Sequence, residues 1–392
     1  MISVRAPSRL PVRAPALVGL AAAGAAAAAL VLAAPALPFG GVLHLAPAGR
    51  LLLAASAAAL ALTTALAPHR VGRRELLAAG LGALGGQALL MALTDPLAIA
   101  IVLLLIGLGF AARGGARPFV ERARPPAFAA LLIGAGWAFV QLHGATWVGR
   151  AGALAIALGL AATAGLVPYL APVDSEEPAS SSFVIWTGFF GPALAISLPG
   201  HVLPGMPAGE ASVFGATLVG LGLVNLGWGT IGAWRTASEV EAWRCSFLVD
   251  WGFALVGIGL FLPDGLAAAL LALLAIVLVR VPLYLWARPA LLGAQPARLT
   301  ALNVLLAVLL TGAAPFSGFP VRLLVLGAAT QTAWPLAIPL LVAMLLAVTY
   351  SVRLARALGS HRRWAAAGLW ITLGLGLVLG LAPAAVRSLG GI

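Results

Sequence analysis

Three charged residues stand inside long apolar stretches of this sequence: Asp250, Arg280 and Arg322. A charge near the centre of a bilayer costs about 2.5–3.5 kcal/mol, so such residues usually face neighbouring helices and either pair or conduct ions. Arg280 lies eight residues before Arg288, about 12 Å along a helix, so reaching the membrane surface would strain its side chain. Asp250 lies six residues past Arg244, about 9 Å, and reaches that surface more easily. Two roles stay open: a proton or ion path, and a structural role as a buried Arg–Asp pair or a surface-seeking arginine.

Helix-breaking residues lie directly before Arg322, in the stretch TGAAPFSGFPVRLLVL. Pro315, Gly318 and Pro320 interrupt an apolar run at 299–330, which is longer than the roughly 20 residues that one span needs. Broken helices are tolerated in membranes where the freed backbone groups are buried in protein or line a water-filled cavity. A cation beside such a break therefore predicts a hydrated site among packed helices.

Uncharged polar residues of the apolar stretches are further candidates, because with water they could connect the charged sites. Hydrogen bonding between helices is the commoner role of such residues in membranes. We include four as candidate members of the path: Thr163, Asn225, Asn303 and Ser317.

The elements that must position these residues are membrane helices. Hydrophobic residues make up 62% of the 392-residue chain, charged residues 9%, and the mean hydropathy is +1.07; soluble proteins carry about 25% charged residues. The apolar runs are continuous rather than alternating, which excludes a membrane β-barrel. The net charge of +12 is carried by arginines in short loops, so we expect the lipid bilayer and not nucleic acid as a partner.

We predict an all-α polytopic membrane protein with about thirteen spans, within a range of twelve to fourteen. The apolar segments lie at 14–37, 46–67, 74–93, 97–112, 126–147, 150–171, 182–200, 211–234, 243–262, 265–287, 299–330, 333–355 and 364–386. Alternate loops, starting with the N-terminus, hold 18 arginines, and the loops of the opposite side hold three. By the positive-inside rule the N-terminus is cytoplasmic and the C-terminus is outside.

No enzyme motif occurs in the sequence: HExxH, the P-loop and GxSxG are all missing. The single cysteine, Cys245, excludes a disulfide within the chain and a multi-cysteine metal cluster. We therefore expect no catalytic site, no cofactor and no metal. A lipid-linked sugar enzyme would need acidic residues together in an outer loop, whereas Asp95, Glu210 and Asp264 are scattered singly.

Four segments in order resemble the proton-pumping antiporter-like subunits of complex I, Mrp-type antiporters and membrane-bound hydrogenases. The last, APFSGFPVRLLVL followed by AIPLLVAMLLAVTYSVRLARAL, is similar to a family segment in which a break ending in "GF" precedes a functional lysine; here Arg322 takes the lysine position. LLAIVLVRVPLYLWA resembles another lysine-bearing helix, with Arg280 at the lysine. The other two segments are GLVPYLAPVDSEEP and VNLGWGTIGAWRTASEVEAWRCSFLVDWGFALVGIGL.

This chain departs from the family at several charged positions. The glutamate of the family's ion pair falls among Leu103 to Leu105, and its lysine falls near Thr163. A further lysine falls within Trp186 to Pro192, and a histidine near Ile276. Asp250 stands where a neutral residue or histidine is usual. The resemblance thus implies an N-terminal half-channel without its ion pair and a C-terminal half that keeps two cations.

The resemblance also implies an architecture of inverted five-helix repeats with broken helices. We expect N-terminal helices at 1–73, a first repeat at 74–200 that breaks near Pro168, a second repeat at 201–330 that breaks near Pro315, and C-terminal helices at 331–392. The implied setting is a bacterial inner membrane, with other membrane subunits of a complex as partners.

The resemblance implies an antiporter-like, non-redox membrane subunit of a respiratory NADH:quinone oxidoreductase-type or related ion-pumping complex, involved in proton translocation. The alternative is a stand-alone secondary transporter with an inverted repeat, in which Arg280 or Arg322 binds an anionic solute. Copurifying partner subunits would favour the first, and a lone chain the second.

Overall fold

The computed structural model describes residues 45–66, 73–113, 119–170, 182–291, 300–358 and 363–392. The predicted first span at 14–37 lies outside the described residues. Within the described ranges the chain forms helices and their connections, and no strand, which confirms the predicted all-α class.

The first half of the described chain contains six helices. They are α1 (Pro47–Leu66), α2 (Arg73–Ala92), α3 (Pro96–Ala112), α4 (Phe119–His143), α5 (Trp147–Thr163) and α6, which runs through Ser182–Ile185, a π-helical turn at Trp186–Phe190, and Gly191–Val202. A short 3₁₀ turn at Leu203–Gly205 follows.

The second half begins with the longest uninterrupted α-helix. Its described helices are α7 (Ala208–Arg235), α8 (Glu239–Gly259), α9 (Pro263–Ala275, a π-helical turn at Ile276–Arg280, and Val281–Leu291), α10 (Ala301–Thr311), α11 (Gly318–Thr332), α12 (Ala337–Ala357), α13 (Arg363–Leu381) and α14 (Pro383–Gly390). A 3₁₀ turn at Trp334–Leu336 joins α11 to α12.

Several of these helices are long and apolar enough to cross a membrane. Among the described residues there are six, or seven if the bent pair of α13 and α14 counts as one span. Three further apolar helices, α3, α5 and α10, are shorter. A multi-pass membrane protein is thus supported, while the number of thirteen spans stays a prediction.

Within the predicted span at 364–386 the chain bends by 78°, between α13 and α14. Pro383 opens α14; proline has no N–H to continue the preceding helix but is well suited to the first position of a new one. The bend places Arg387 beside the start of α9, where its Nη1 donates to Asp264 Oδ1 at 3.0 Å.

Glycines let two pairs of helices approach closely at their backbones. A Cβ on Gly136 of α4 would lie 2.7 Å from the carbonyl oxygen of Gly152 in α5. A Cβ on Gly222 of α7 would lie 2.8 Å from the carbonyl oxygen of Gly252 in α8. Membrane helices associate through such small-residue contacts, because lipid offers no hydrophobic driving force between them.

Two helices of the bundle end in irregular segments, which we call the two helix breaks. The first break (residues 164–168) follows α5 and contains Gly165 at φ +73° and the cis peptide Val167–Pro168. The second break (residues 312–317) separates α10 from α11 and contains Gly312 at φ +69° and the cis peptide Ala314–Pro315. In both breaks the left-handed glycine stands three residues before the proline, and glycine adopts this conformation without steric cost.

Candidate ion-conducting site

An ion pair joins α8 to α9. Arg280 donates from Nε to Asp250 Oδ2 at 2.5 Å and from Nη2 to Ser246 Oγ at 2.5 Å. The guanidinium carbon also lies 5.4 Å from the ring centroid of Trp243 and 5.2 Å from that of Phe247. A carboxylate, a hydroxyl and two aromatic faces therefore hold this charge, and cation–π contacts are strongest where water is excluded.

The pair lies deep along both of its helices. Asp250 is eleven residues from the first residue of α8, a rise of about 16 Å. Arg280 closes the π-helical turn of α9, eleven residues before that helix ends at Leu291. π-helical turns within α-helices are frequent at functional sites. The sequence left two structural roles open for these charges, a buried Arg–Asp pair and an arginine that reaches the membrane surface. At Arg280 the structure shows the pair.

Asp250 is more accessible than the residues around it. Its side chain is 28% exposed, against 7% for that of Arg280, while its chain neighbours Val249 and Trp251 are 1% and 0% exposed. The carboxylate is therefore less tightly covered than the stretch of α8 around it.

Arg322 approaches the same face of α8 from the second break. Its guanidinium carbon lies 5.5 Å from the ring centroid of Phe253, one turn along α8 from Asp250. A Cβ on Gly312 would come within 2.7 Å of this guanidinium carbon. The left-handed glycine of the break thus leaves the space that the arginine fills.

Tyr350 of α12 completes the group. Its side chain is 3% exposed, and Arg322 lies close enough to the phenol of Tyr350, the carboxyl of Asp250 and the guanidinium of Arg280 for electrostatic interaction. We call Ser246, Asp250, Arg280, Arg322 and Tyr350 the charged cluster. With two guanidiniums and one carboxylate, the charged cluster has a formal charge of +1 when Asp250 is ionised.

The structure brings together the three charged residues that the sequence singled out, but not the four polar ones. Thr163 donates to the carbonyl of Gly159 in its own helix at 2.9 Å. Asn303 caps α10 together with Thr300 and donates from Nδ2 to the carbonyl of Ala355 at 2.7 Å. Both side chains are satisfied structural hydrogen-bonding groups outside the charged cluster.

Asn225 of α7 fastens the first break. Its Oδ1 accepts from the backbone N–H of Val167 at 3.0 Å, and its Nδ2 donates to the carbonyls of Leu221 and Val167 at 2.8 and 3.5 Å. The carbonyl of Ala164 accepts from the hydroxyl of Thr187 at 3.3 Å. Neutral side chains therefore form hydrogen bonds with the backbone groups that this break leaves free. Pro168 follows directly after Val167, the residue that Asn225 binds.

The second break is tied to α13 through its backbone. Ser317, 3% exposed, donates its N–H to the carbonyl of Gly376 at 2.9 Å. Gly318 lies so close to Gly312 that a Cβ on it would meet the Gly312 Cα at 2.4 Å. Pro315 lies within the break, and Pro320 is in the first turn of α11. These residues shape the loop that presents Arg322.

Sequence reasoning identified Asp250 but missed the other α8 residues that receive the arginines. Trp243, Ser246, Phe247, Asp250 and Phe253 recur at intervals of three and four, which places them on one face of a helix. Aromatic residues at such spacing are ordinary in a membrane helix, so only their register with Asp250 could have indicated a cation-binding face.

No family model and no curated protein matches the chain, whereas solved structures do. A chain of the membrane-bound sulfane sulfur reductase, an archaeal respiratory membrane complex, is similar with a TM-score of 0.73 and 15% identity, over 96% of this chain and 90% of that one. A chain of respiratory complex I from Thermus thermophilus is similar with a TM-score of 0.71 and 17% identity, over 95% and 98%. A chain of the Mrp complex from Dietzia sp. DQ12-45-1b has a TM-score of 0.68 and 18% identity, over 96% and 90%.

These likenesses extend over nearly the whole of each chain, and every one of these structures is a membrane complex. At this level of identity they establish the fold. The chain therefore has the fold of these chains from respiratory and Mrp complexes.

Proposed function

We propose that this protein is a non-redox membrane subunit of a respiratory NADH:quinone oxidoreductase-type or related ion-pumping complex, and that it takes part in proton translocation. The observation that carries the proposal is the Asp250–Arg280 pair, which lies near the middle of α8 and of α9. This pair also interacts electrostatically with Arg322, which lies beside the second break. Ionisable residues at this depth are costly and usually mark an ion path.

Within the charged cluster, Asp250 is the group that carries the proton. A guanidinium stays charged in proteins, so neither arginine releases a proton. When Asp250 takes up a proton it loses the charge that holds Arg280, and the electrostatic balance with Arg322 changes. Movement of charge nearby would in turn favour loading or release of that proton.

The N-terminal half-channel is degenerate in this proposal. The family's glutamate falls among Leu103 to Leu105, where Leu103 is fully buried, and the lysine position falls near Thr163, which is bonded within its own helix. Neither position offers a titratable group. The protein would move protons through its C-terminal half or, if that path is closed, serve as a spacer in the complex.

The remaining predictions of setting belong to the same proposal. The chain would lie in a bacterial inner membrane with its N-terminus cytoplasmic and its C-terminus outside, next to other membrane subunits. The repeats would be 74–200 and 201–330, flanked by helices at 1–73 and 331–392. The equal spacing of glycine and proline in the two breaks supports such a repeat.

Copurification and proton flux together test the proposal. The full-length chain, purified from its native membrane, should bring partner subunits; recovery as a lone chain would favour the alternative of a stand-alone carrier. In proteoliposomes of the purified complex, Asp250→Asn should reduce proton flux strongly, whereas Asp264→Asn, a carboxyl on the bundle surface, should not. Equal flux in both variants would remove the conducting role and leave the spacer role.

A further inference from the structure

The charged cluster contains more guanidinium donors than the described residues can accept. Arg280 is 6% exposed, and its Nη1 is buried without a hydrogen-bond partner among them. The Arg322 guanidinium lies against the ring of Phe253 and beside Gly312, neither of which offers it a side-chain acceptor. Buried polar groups are normally hydrogen-bonded, and a charged group left unpaired is the most costly kind.

The charge balance points in the same direction. Among the described residues, Asp250 is the one carboxylate placed against the two guanidiniums, and neither arginine can become neutral. The other seven acidic residues within the described ranges lie near helix ends or in turns. A fixed positive charge at this depth needs a counter-charge.

We propose that the charged cluster binds one small monovalent inorganic anion of the chloride type, held between Arg280 Nη1 and the Arg322 guanidinium. One such anion neutralises the excess charge of +1, while a divalent anion would exceed it. The partly exposed side chain of Asp250 marks where a small ion could enter. This inference rests on the same residues as the proposed proton path, but it concerns binding and not flux.

Substitutions of Asp250 and of Arg322 should change the affinity for chloride in opposite directions. Asp250 competes with the anion for Arg280, so Asp250→Asn, which frees that guanidinium and leaves two positive charges, should tighten chloride binding several-fold. Arg322→Gln removes one of the two holding charges and should weaken binding about tenfold or more, the fold-change expected for losing a charge-assisted hydrogen bond. A merely structural role for these residues gives no reason for opposite signs.

Equilibrium binding of ³⁶Cl⁻ to the purified complex, with gluconate holding the ionic strength constant, tests the proposal. The expected result is saturable binding by the wild type that is weakened about tenfold or more in Arg322→Gln. It should be enhanced in Asp250→Asn and unchanged in Arg387→Gln. Absence of saturable chloride binding in a folded wild-type complex overturns the proposal. This is the result expected if a carboxylate of a partner subunit occupies the proposed anion position. Binding that is unaffected by Arg322→Gln also overturns it. Either failure leaves the flux test of the proposed function standing.

Discussion

The two helix breaks have the same backbone plan and different surroundings. Gly165 and Gly312 adopt nearly the same left-handed conformation, at φ +73° and +69°, and each stands three residues before a proline. At the first break the freed backbone groups bind the amide of Asn225. At the second break, space opened by the glycine is filled by the guanidinium of Arg322. A break alone is therefore a structural element, and the charge beside it decides whether it could serve transport.

The strongest test of this comparison removes the cation of the buried pair. Arg280→Met removes the hydrogen-bonded partner of Asp250; breaking a fully buried pair from one side costs about 3–5 kcal/mol, and the partial exposure of Asp250 places the expected loss at the lower end of that range. Unfolding of the purified complex, followed by thermal or detergent denaturation, should show this loss. The double variant Asp250→Asn/Arg280→Met should recover most of it; if the double variant is no better than the single one, the two residues are not coupled as a pair.

The two glycines offer a matched pair of substitutions. Gly165→Ala and Gly312→Ala should each destabilise the protein by about 1–2 kcal/mol, because a Cβ is disfavoured in the left-handed region. A Cβ on Gly312 meets the Arg322 guanidinium carbon at 2.7 Å, so Gly312→Ala should also reduce proton flux, and Gly165→Ala should not. Flux reduced equally by both alanines would mean that the breaks do not differ in function.

Asn225 should matter for stability and not for conduction. Asn225→Leu leaves the backbone N–H of Val167 without its acceptor, and an unsatisfied buried group costs about 1–3 kcal/mol. We expect a lower unfolding midpoint with unchanged proton flux per folded complex. A flux defect larger than the loss of folded protein would place the first break on the ion path after all.

The smallest effect is expected at the surface pair of Arg387 and Asp264. Their side chains are 43% and 37% exposed, and pairs of this kind contribute about 0–1 kcal/mol. Arg387→Gln should leave both stability and flux close to wild type, which makes it the reference for the interior arginines. A strong flux defect in this variant would show that arginine loss in general, and not position, impairs the protein.

The sequence was sufficient to predict the helical membrane fold, because long apolar runs and the positions of the loop arginines can be seen directly in the order of residues. It also identified Asp250, Arg280 and Arg322, since charge is conspicuous in such runs. The bend before Pro383 was missed, because apolar residues continue through it.

The roles of the polar residues could not be read in the same way. Asn225 and Asn303 look alike in sequence, yet one fastens a break and the other caps a helix and binds α12. The π-helical turn that ends at Arg280 has no signature in IVLVR. Such features depend on which helix faces which, and this is set by packing over the whole bundle.

The most direct test of the central claim compares the interior of the two halves in one assay. Proton flux into vesicles containing the purified complex should fall to near background with Asp250→Asn and stay at the wild-type rate with Thr163→Val. Flux that survives Asp250→Asn, or that is lost with Thr163→Val, would contradict a conducting C-terminal half beside a silent N-terminal one.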